Sequence, residues 1–235
     1  VRHGRIGFWY RFTVSVVRPV SALLTKRDWR GAEHIPATGG VIVAANHLSY
    51  VDPMTFGHFV FNTGRTPRFL AKSTLFEIPI VKYVFRGAQQ IPVHRGTADA
   101  AEALSAGVEA LQRGECLLIY PEGSATRDPG TWPMRAHTGV ARLALTSGAP
   151  VVPCAQWGPQ EVWRYRTKRP QVFPRKRIQV LAGPPVDLSA YAGRPQDAQL
   201  LREVTEVIMA RITDLLIELR GGTPPAVPYD PRMAA

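Results

Sequence analysis

The feature that most limits how this chain can fold is a set of short, unbroken apolar runs, each closed by a turn. Gly40-Val-Ile-Val-Ala-Ala45 starts on the second residue of a Gly39-Gly40 pair, and Cys116-Leu-Leu-Ile-Tyr120 and Val151-Val-Pro-Cys-Ala155 are similar runs. A strand that is apolar on both faces has no side to offer to water, so it belongs in a sheet covered by helices on both sides. Further strand-like segments fall at 68–71, 90–93 and 177–181, and helical patterns at 98–111, 138–146 and 199–219 lie between and after them. In the last of these, Leu201, Val204, Ile208, Ile212, Leu215 and Leu219 fall along one side of a helix. Alternation of strand and helix predicts an α/β fold, with a mostly parallel or mixed central sheet flanked by helices. With 20 Gly and 21 Pro the chain is suited to many short connections, which argues against an all-helical bundle. Pro153 inside its run predicts an edge strand or a bulge.

Residues 6–24 read as a helix on which Arg11 and Arg18, seven positions apart, share a face, while the rest is apolar and aromatic. Followed by Lys26, Arg27 and Arg30, it could lie among lipid headgroups with Phe8, Trp9 and Tyr10 inserted, or pack on the core as a terminal helix. Its arginines, and the lack of a small-residue cleavage site, argue against a cleaved signal or a spanning helix. The expected organisation is an amphipathic, membrane-associating helix over 1–27, a compact domain over 28–220, and a loosely ordered Pro-rich tail over 221–235. Lys and Arg outnumber Asp and Glu by 29 to 18, a formal charge of +11, which favours anionic partners. No zinc-finger, RNA-recognition or helix-turn-helix pattern accompanies that charge, so nucleic acid is not expected among them. Cys116 and Cys154 sit inside apolar runs and read as buried thiols in a reducing compartment, with no zinc spacing and no metal expected.

Three strand-to-turn junctions carry residues able to do chemistry. The first is Ala45-Asn46-His47-Leu-Ser49-Tyr-Val-Asp52-Pro53, where Pro53 is suited to begin a helix. A neutral His47 imidazole could take a proton from an alcohol while Asp52 fixes its tautomer and stabilises the imidazolium. Alternatively, Asp52 is only a first-turn helix acid. Spacing cannot decide, because His94 and Asp99 stand the same five residues apart. In the second junction, Ile91-Pro-Val-His94-Arg95-Gly96, Arg95 could present a guanidinium to a phosphate, and Lys72 at the end of another strand could be a second cation. In the third, Tyr120-Pro-Glu122-Gly123-Ser124-Ala-Thr126-Arg127, an exposed Glu122 could bind substrate hydroxyls. Gly123 would let backbone approach substrate, and the turn N–H groups with Arg127 could attract an anion.

Taken in order, Asn46 to Pro53, Gly87 to Arg95, Tyr120 to Ser124 and Val151 to Pro153 resemble the four motif blocks of the glycerolipid acyltransferases, most nearly the bacterial 1-acyl-glycerol-3-phosphate acyltransferases. The resemblance spans roughly residues 28–220. It implies that His47 is the general base and Asp52 its orienting partner, and that no acyl-enzyme forms. It implies phosphate binding at Lys72 and Arg95, acceptor binding at Glu122 and Gly123, and substrate contacts from Asn46, Ser49, Ser124 and Arg127 in the same blocks. One departure stands out: Ala125 and Thr126 intervene before Arg127, where the family usually places a basic residue directly after a Thr or Ser. The implied reaction moves a fatty acyl group from acyl-CoA or acyl carrier protein to the sn-2 hydroxyl of 1-acyl-glycerol-3-phosphate, forming phosphatidic acid, with no cofactor beyond that donor. The implied location is the cytoplasmic face of the cell membrane, held peripherally or monotopically. Another lysophospholipid or glycerol phosphate as acceptor, or a silent protein that only binds anionic lipid, are the alternatives.

Overall fold

The computed structural model describes residues 7–79, 81–88, 90–93, 99–165, 167 and 169–233. The strands are β1 Thr25–Arg30, β2 Val41–Ala45, β3 Pro67–Lys72, β4 Ile91–Val93, β5 Cys116–Ile119, β6 Val151–Trp157 and β7 Lys176–Ala182. They form one sheet in the order β1-β7-β6-β2-β5-β3-β4. β2 is parallel to β5 and β6, and β3 is parallel to β5 and β4, whereas β7 is antiparallel to β6 and β1 follows β7 in parallel.

The helices are α1 Phe8–Leu24, α2 Asp52–Asn62, α3 Val81–Gly87, α4 Asp99–Gln112, α5 Gly139–Ser147, α6 Pro159–Val162 and α7 Ala198–Arg220. Strand side chains alternate between faces, and both faces are covered. Ile42, Ala44, Leu117 and Val151 pack with Ala110 and Leu111 of α4, Val140 and Leu143 of α5, and Leu201, Val204, Ile208 and Ile212 of α7. Val43, Leu118, Val152 and Cys154 meet Phe56, Phe59 and Val60 of α2 on the other side. α7 is capped by Asp197, whose side chain accepts from the N–H of Leu200 at 2.8 Å, and Leu216 completes its buried line where the sequence pattern pointed to Leu215.

Several details differ from the sequence reading. Thr25-Lys-Arg-Asp-Trp-Arg30 is a strand that its charge conceals; as an edge it pairs only with β7 and leaves the charged groups in solvent. The sheet therefore begins inside the segment assigned to the terminal helix. Pro153 lies in β6, which is flanked on both sides, and is not on an edge strand. Its carbonyl accepts from the Gly183 N–H at 2.9 Å just past the end of β7, so Pro153 keeps the acceptor half of that last pairing and lacks only the N–H. The tail does not trail free: the Arg135 N–H donates to the Tyr229 carbonyl at 2.9 Å, and Asp230 pairs with Arg135 and Arg232. In α1, Tyr10 is buried against Phe61 and is not presented outward with Phe8.

His58 of α2 is 3% exposed, with the edge of its ring against Trp29 at 4.9 Å, and neither nitrogen has a hydrogen-bond partner among the described residues. Burial, aided by Arg27 and Arg18, lowers its pKa from 6.5 to about 4. The unfolded chain takes up this proton below 6.5 and the native one does not until about 4, so stability is intact above 6.5 and lost as pH falls through that window. His58→Leu should therefore gain about 2 kcal/mol relative to wild type on going from pH 7.5 to pH 5. Urea unfolding at the two pH values measures this, and an unchanged difference would acquit His58.

Candidate active site

Because β2, β5 and β6 are parallel, their carboxyl ends meet at one edge of the sheet, the side where open α/β folds place ligands. β2 lies at the centre of the order and delivers Asn46 and His47 there. Asn46 is fully buried: its Nδ2 donates to the Gln156 carbonyl at 3.1 Å and its Oδ1 accepts from the Gln156 N–H at 2.7 Å. The side chain thereby extends the pairing of β2 with β6. Ser49 is also fully buried, donating from Oγ to the Trp163 carbonyl and accepting from the Val51 N–H at 3.2 Å. The substrate contacts expected of Asn46 and Ser49 give way to this bracing, since the polar atoms are engaged inside the protein.

His47 Nδ1 lies 2.7 Å from Asp52 Oδ2, with the imidazole 17% exposed and the carboxylate fully buried. The same Oδ2 accepts from the N–H groups of Leu48 and of Ser49, the latter at 2.9 Å. Asp52 thus fills both roles the sequence left open, first-turn acid of α2 and partner of the imidazole. With two N–H donors already on this oxygen, the contact from His47 is a third donation, so the ring hydrogen sits on Nδ1 and Nε2 faces away as the accepting nitrogen. Tyr120 stacks on the imidazole with centroids 4.2 Å apart and planes 18° from parallel. Burial raises the Tyr120 phenol well above its ordinary range, so this ring is a neutral wall.

The third junction is turned inward. Glu122 is 3% exposed, where an exposed acid was expected. Its Oε1 accepts from the N–H of His47 and its Oε2 from the N–H of Met134, both at 2.8 Å. The Thr126 N–H donates to the His47 carbonyl at 2.8 Å, so both backbone groups of His47 are held by this one segment. Gly123 makes the turn possible with φ 75°, a left-handed conformation that favours glycine. Ala125 and Thr126, the two inserted residues, are buried, and Thr126 Oγ1 donates to the Trp132 carbonyl at 2.7 Å. The insertion therefore seats His47 and leaves Arg127 exposed beyond it, with Ser124 half-buried in the turn.

Lys72 closes β3, separated from β2 by β5 alone, which places its backbone about 10 Å from β2 at the usual strand spacing. His94 and Arg95 lie outside the described residues. Thr126, Gln156, Tyr120 and the Met134 N–H were not foreseen as part of the site. Only the departure at Ala125-Thr126 signalled any of them, because the rest depends on which strand ends become neighbours.

A family model described as Acyltransferase matches residues 26–157. The 1-acyl-sn-glycerol-3-phosphate acyltransferase of Bacillus subtilis is 24% identical over 209 residues, 88% of this chain and 96% of that protein. That of Borreliella burgdorferi is 29% identical over 124 residues, 52% of this chain, and the match spans about half of that protein, 48%. The crystal structure of the 1-acyl-sn-glycerophosphate (LPA) acyltransferase, PlsC, from Thermotoga maritima shares the fold with a TM-score of 0.69 at 21% identity, over 92% of this chain and 81% of that one.

Proposed function

The chain belongs to the acyltransferase family, and on that premise we propose that it transfers a fatty acyl group from a thioester donor to the sn-2 hydroxyl of 1-acyl-glycerol-3-phosphate, forming phosphatidic acid. The observation that carries this reading is the His47–Asp52 pair, 2.7 Å apart at the carboxyl edge of the sheet, with the basic nitrogen of the ring turned away from the carboxylate. His47 Nε2 takes the hydroxyl proton as the oxygen attacks the thioester carbonyl. A C–O bond forms, the C–S bond breaks, and the imidazolium returns its proton to the departing thiolate. Asp52 stabilises the cationic ring between those steps. Lys72 and Arg95 are assigned to the acceptor phosphate, with Arg127 as a further cation at the rim; Glu122 is assigned to positioning His47.

The location proposed is the cytoplasmic membrane surface, reached through α1. Tyr10 packs this helix onto α2, while Phe8, Phe12, Val16, Val20 and Leu23 form an outward stripe, with Phe8 73% and Leu23 69% exposed. Arg11 and Arg18 are exposed on the same helix. Such a helix suits the headgroup layer, and no helix among the described residues is long and apolar enough to cross a membrane.

The testing experiment is an acyl-transfer assay with glycerol 3-phosphate, lysophosphatidic acid and other lysophospholipids as acceptors and both donor types, reading product position. Transfer to the sn-2 hydroxyl of lysophosphatidic acid is expected, with tenfold or greater preference over glycerol 3-phosphate. Phe8→Ser/Phe12→Ser/Leu23→Ser should lower the rate on vesicle-borne acceptor several-fold more than on a short-chain soluble one. No turnover with any pair, alongside tight vesicle binding, would leave the silent lipid-binding protein as the reading.

A further inference from the structure

We propose that a groove beside β6 and the start of β7 binds the nucleotide end of a coenzyme A thioester, so that the donor reaches His47 from the side opposite to the acceptor phosphate. The inference rests on the acyl-transfer reading and names its donor. The groove has a volume of about 750 Å³, within the usual range for small-ligand sites, and Trp157, Arg164, Arg169, Lys176 and Arg220 line it together with one acid, Glu161.

Its basic side is built. The Arg220 guanidinium lies between the rings of Trp132 and Trp157, 4.3 Å from each centroid, and donates to the Gly130 carbonyl at 2.7 Å and to Thr131 Oγ1 at 3.1 Å. This fixes one charge in the wall. The side chains of Arg164, Arg169 and Lys176 have no hydrogen bond or ion pair among the described residues, and both arginines are exposed. Gly158 lets the chain turn sharply between β6 and the groove: its φ is +106°, and a Cβ there would come 2.0 Å from the Arg177 carbonyl oxygen.

The groove is tied to the catalytic loop. Ser49, two residues after His47, donates from Oγ to the Trp163 carbonyl and forms an isolated bridge with Arg164. Tyr50 adds ring contacts to Trp163 at 5.5 Å and Tyr165 at 5.4 Å. In the sheet order, β6 and β7 lie on one side of β2, while β3, which ends in Lys72, lies on the other. The groove and the strand that carries Lys72 therefore lie on opposite sides of β2 in the sheet order. A coenzyme A nucleotide carries a diphosphate and a separate phosphomonoester, matching several open cations in a concave space. A protein carrier offers one phosphodiester on its arm and meets its enzyme through a broad surface, whereas a free nucleotide fills a concave space of this volume.

Calorimetric titration of the full-length protein with free coenzyme A and with 4′-phosphopantetheine, beside steady-state kinetics, tests this. Arg169→Glu/Lys176→Glu is expected to weaken coenzyme A binding and raise the KM for acyl-CoA at least tenfold. The loss with acyl-phosphopantetheine should be at least tenfold smaller, and Arg211→Glu, at an exposed site on α7, should not weaken coenzyme A binding. Equal losses for the two donors, equal weakening by Arg211→Glu, or turnover with acyl carrier protein but not acyl-CoA would overturn the proposal. Acyl transfer with an unchanged acyl-CoA KM in the double variant rejects the groove alone. Coenzyme A binding that the double variant abolishes, in a protein that transfers no acyl group, rejects the enzymatic reading and leaves the groove standing.

Discussion

His47→Gln should lower kcat for acyl transfer by about 10²- to 10⁴-fold, the usual contribution of a positioned general base, or about 3 to 5 kcal/mol on the barrier. The thioester is already activated, so the reaction depends mainly on deprotonating the acceptor while its oxygen is held against the carbonyl. Stability should change by less than about 1 kcal/mol, because the ring is partly exposed and Asp52 keeps the Leu48 and Ser49 N–H donors. Asp52→Asn separates orientation from charge. All three donors converge on Oδ2, while Oδ1 has no partner among the described residues. An Asn oxygen at that place still accepts from His47 Nδ1 and keeps the ring's tautomer, yet it lacks the charge that stabilises the imidazolium. Its rate should lie between wild type and His47→Gln. A His47→Gln enzyme within threefold of wild-type kcat would end the proposed mechanism.

The strands and long helices were legible because burial on both faces leaves an unbroken apolar signature, as in Val41 to Ala45. β1 was not legible, since an edge strand keeps charged residues in water and loses the pattern that betrays its neighbours. In the site, His47 and Asp52 were readable as a pair but could not be separated by spacing from His94 and Asp99; the ordered motif blocks drew attention to the first pair. Glu122 was read as an outward-facing acid because sequence cannot show which backbone donors surround it. Asn46 and Ser49 were misread for the same reason: a polar residue beside a catalytic one looks like a ligand until the neighbouring strand end supplies its partners. Here those partners are Gln156 and Trp163, more than a hundred positions away.

Glu122 provides the second large effect, and it distinguishes a positioning residue from an acceptor ligand. In Glu122→Ala the N–H groups of His47 and Met134 both lose their acceptor, at about 1 to 3 kcal/mol each. That is a large share of the stability of an ordinary domain, so Glu122→Gln is the more informative variant. An amide oxygen replaces one acceptor, but the amide nitrogen faces the other N–H as a second donor, and a loss of about 1 to 3 kcal/mol is expected. With the His47 backbone released on one side, kcat should fall about 10- to 100-fold through misplacement of the base, while the acceptor KM changes little. A KM increase with kcat preserved would instead return Glu122 to the acceptor. The pH dependence supplies an independent readout. Burial pushes the carboxyl from 4.5 up to about 8, against the two N–H donors that hold it down. The native protein therefore keeps a proton that the unfolded chain gives up, and the associated stability is full below 4.5 and fades as pH rises through about 8. A protonated carboxyl oxygen can still accept from an N–H, whereas the amide nitrogen of Gln cannot. The deficit of Glu122→Gln in urea unfolding should accordingly be largest near pH 5 and shrink by pH 8; a deficit that grows with pH would place an ionised Glu122 in the native protein across that range.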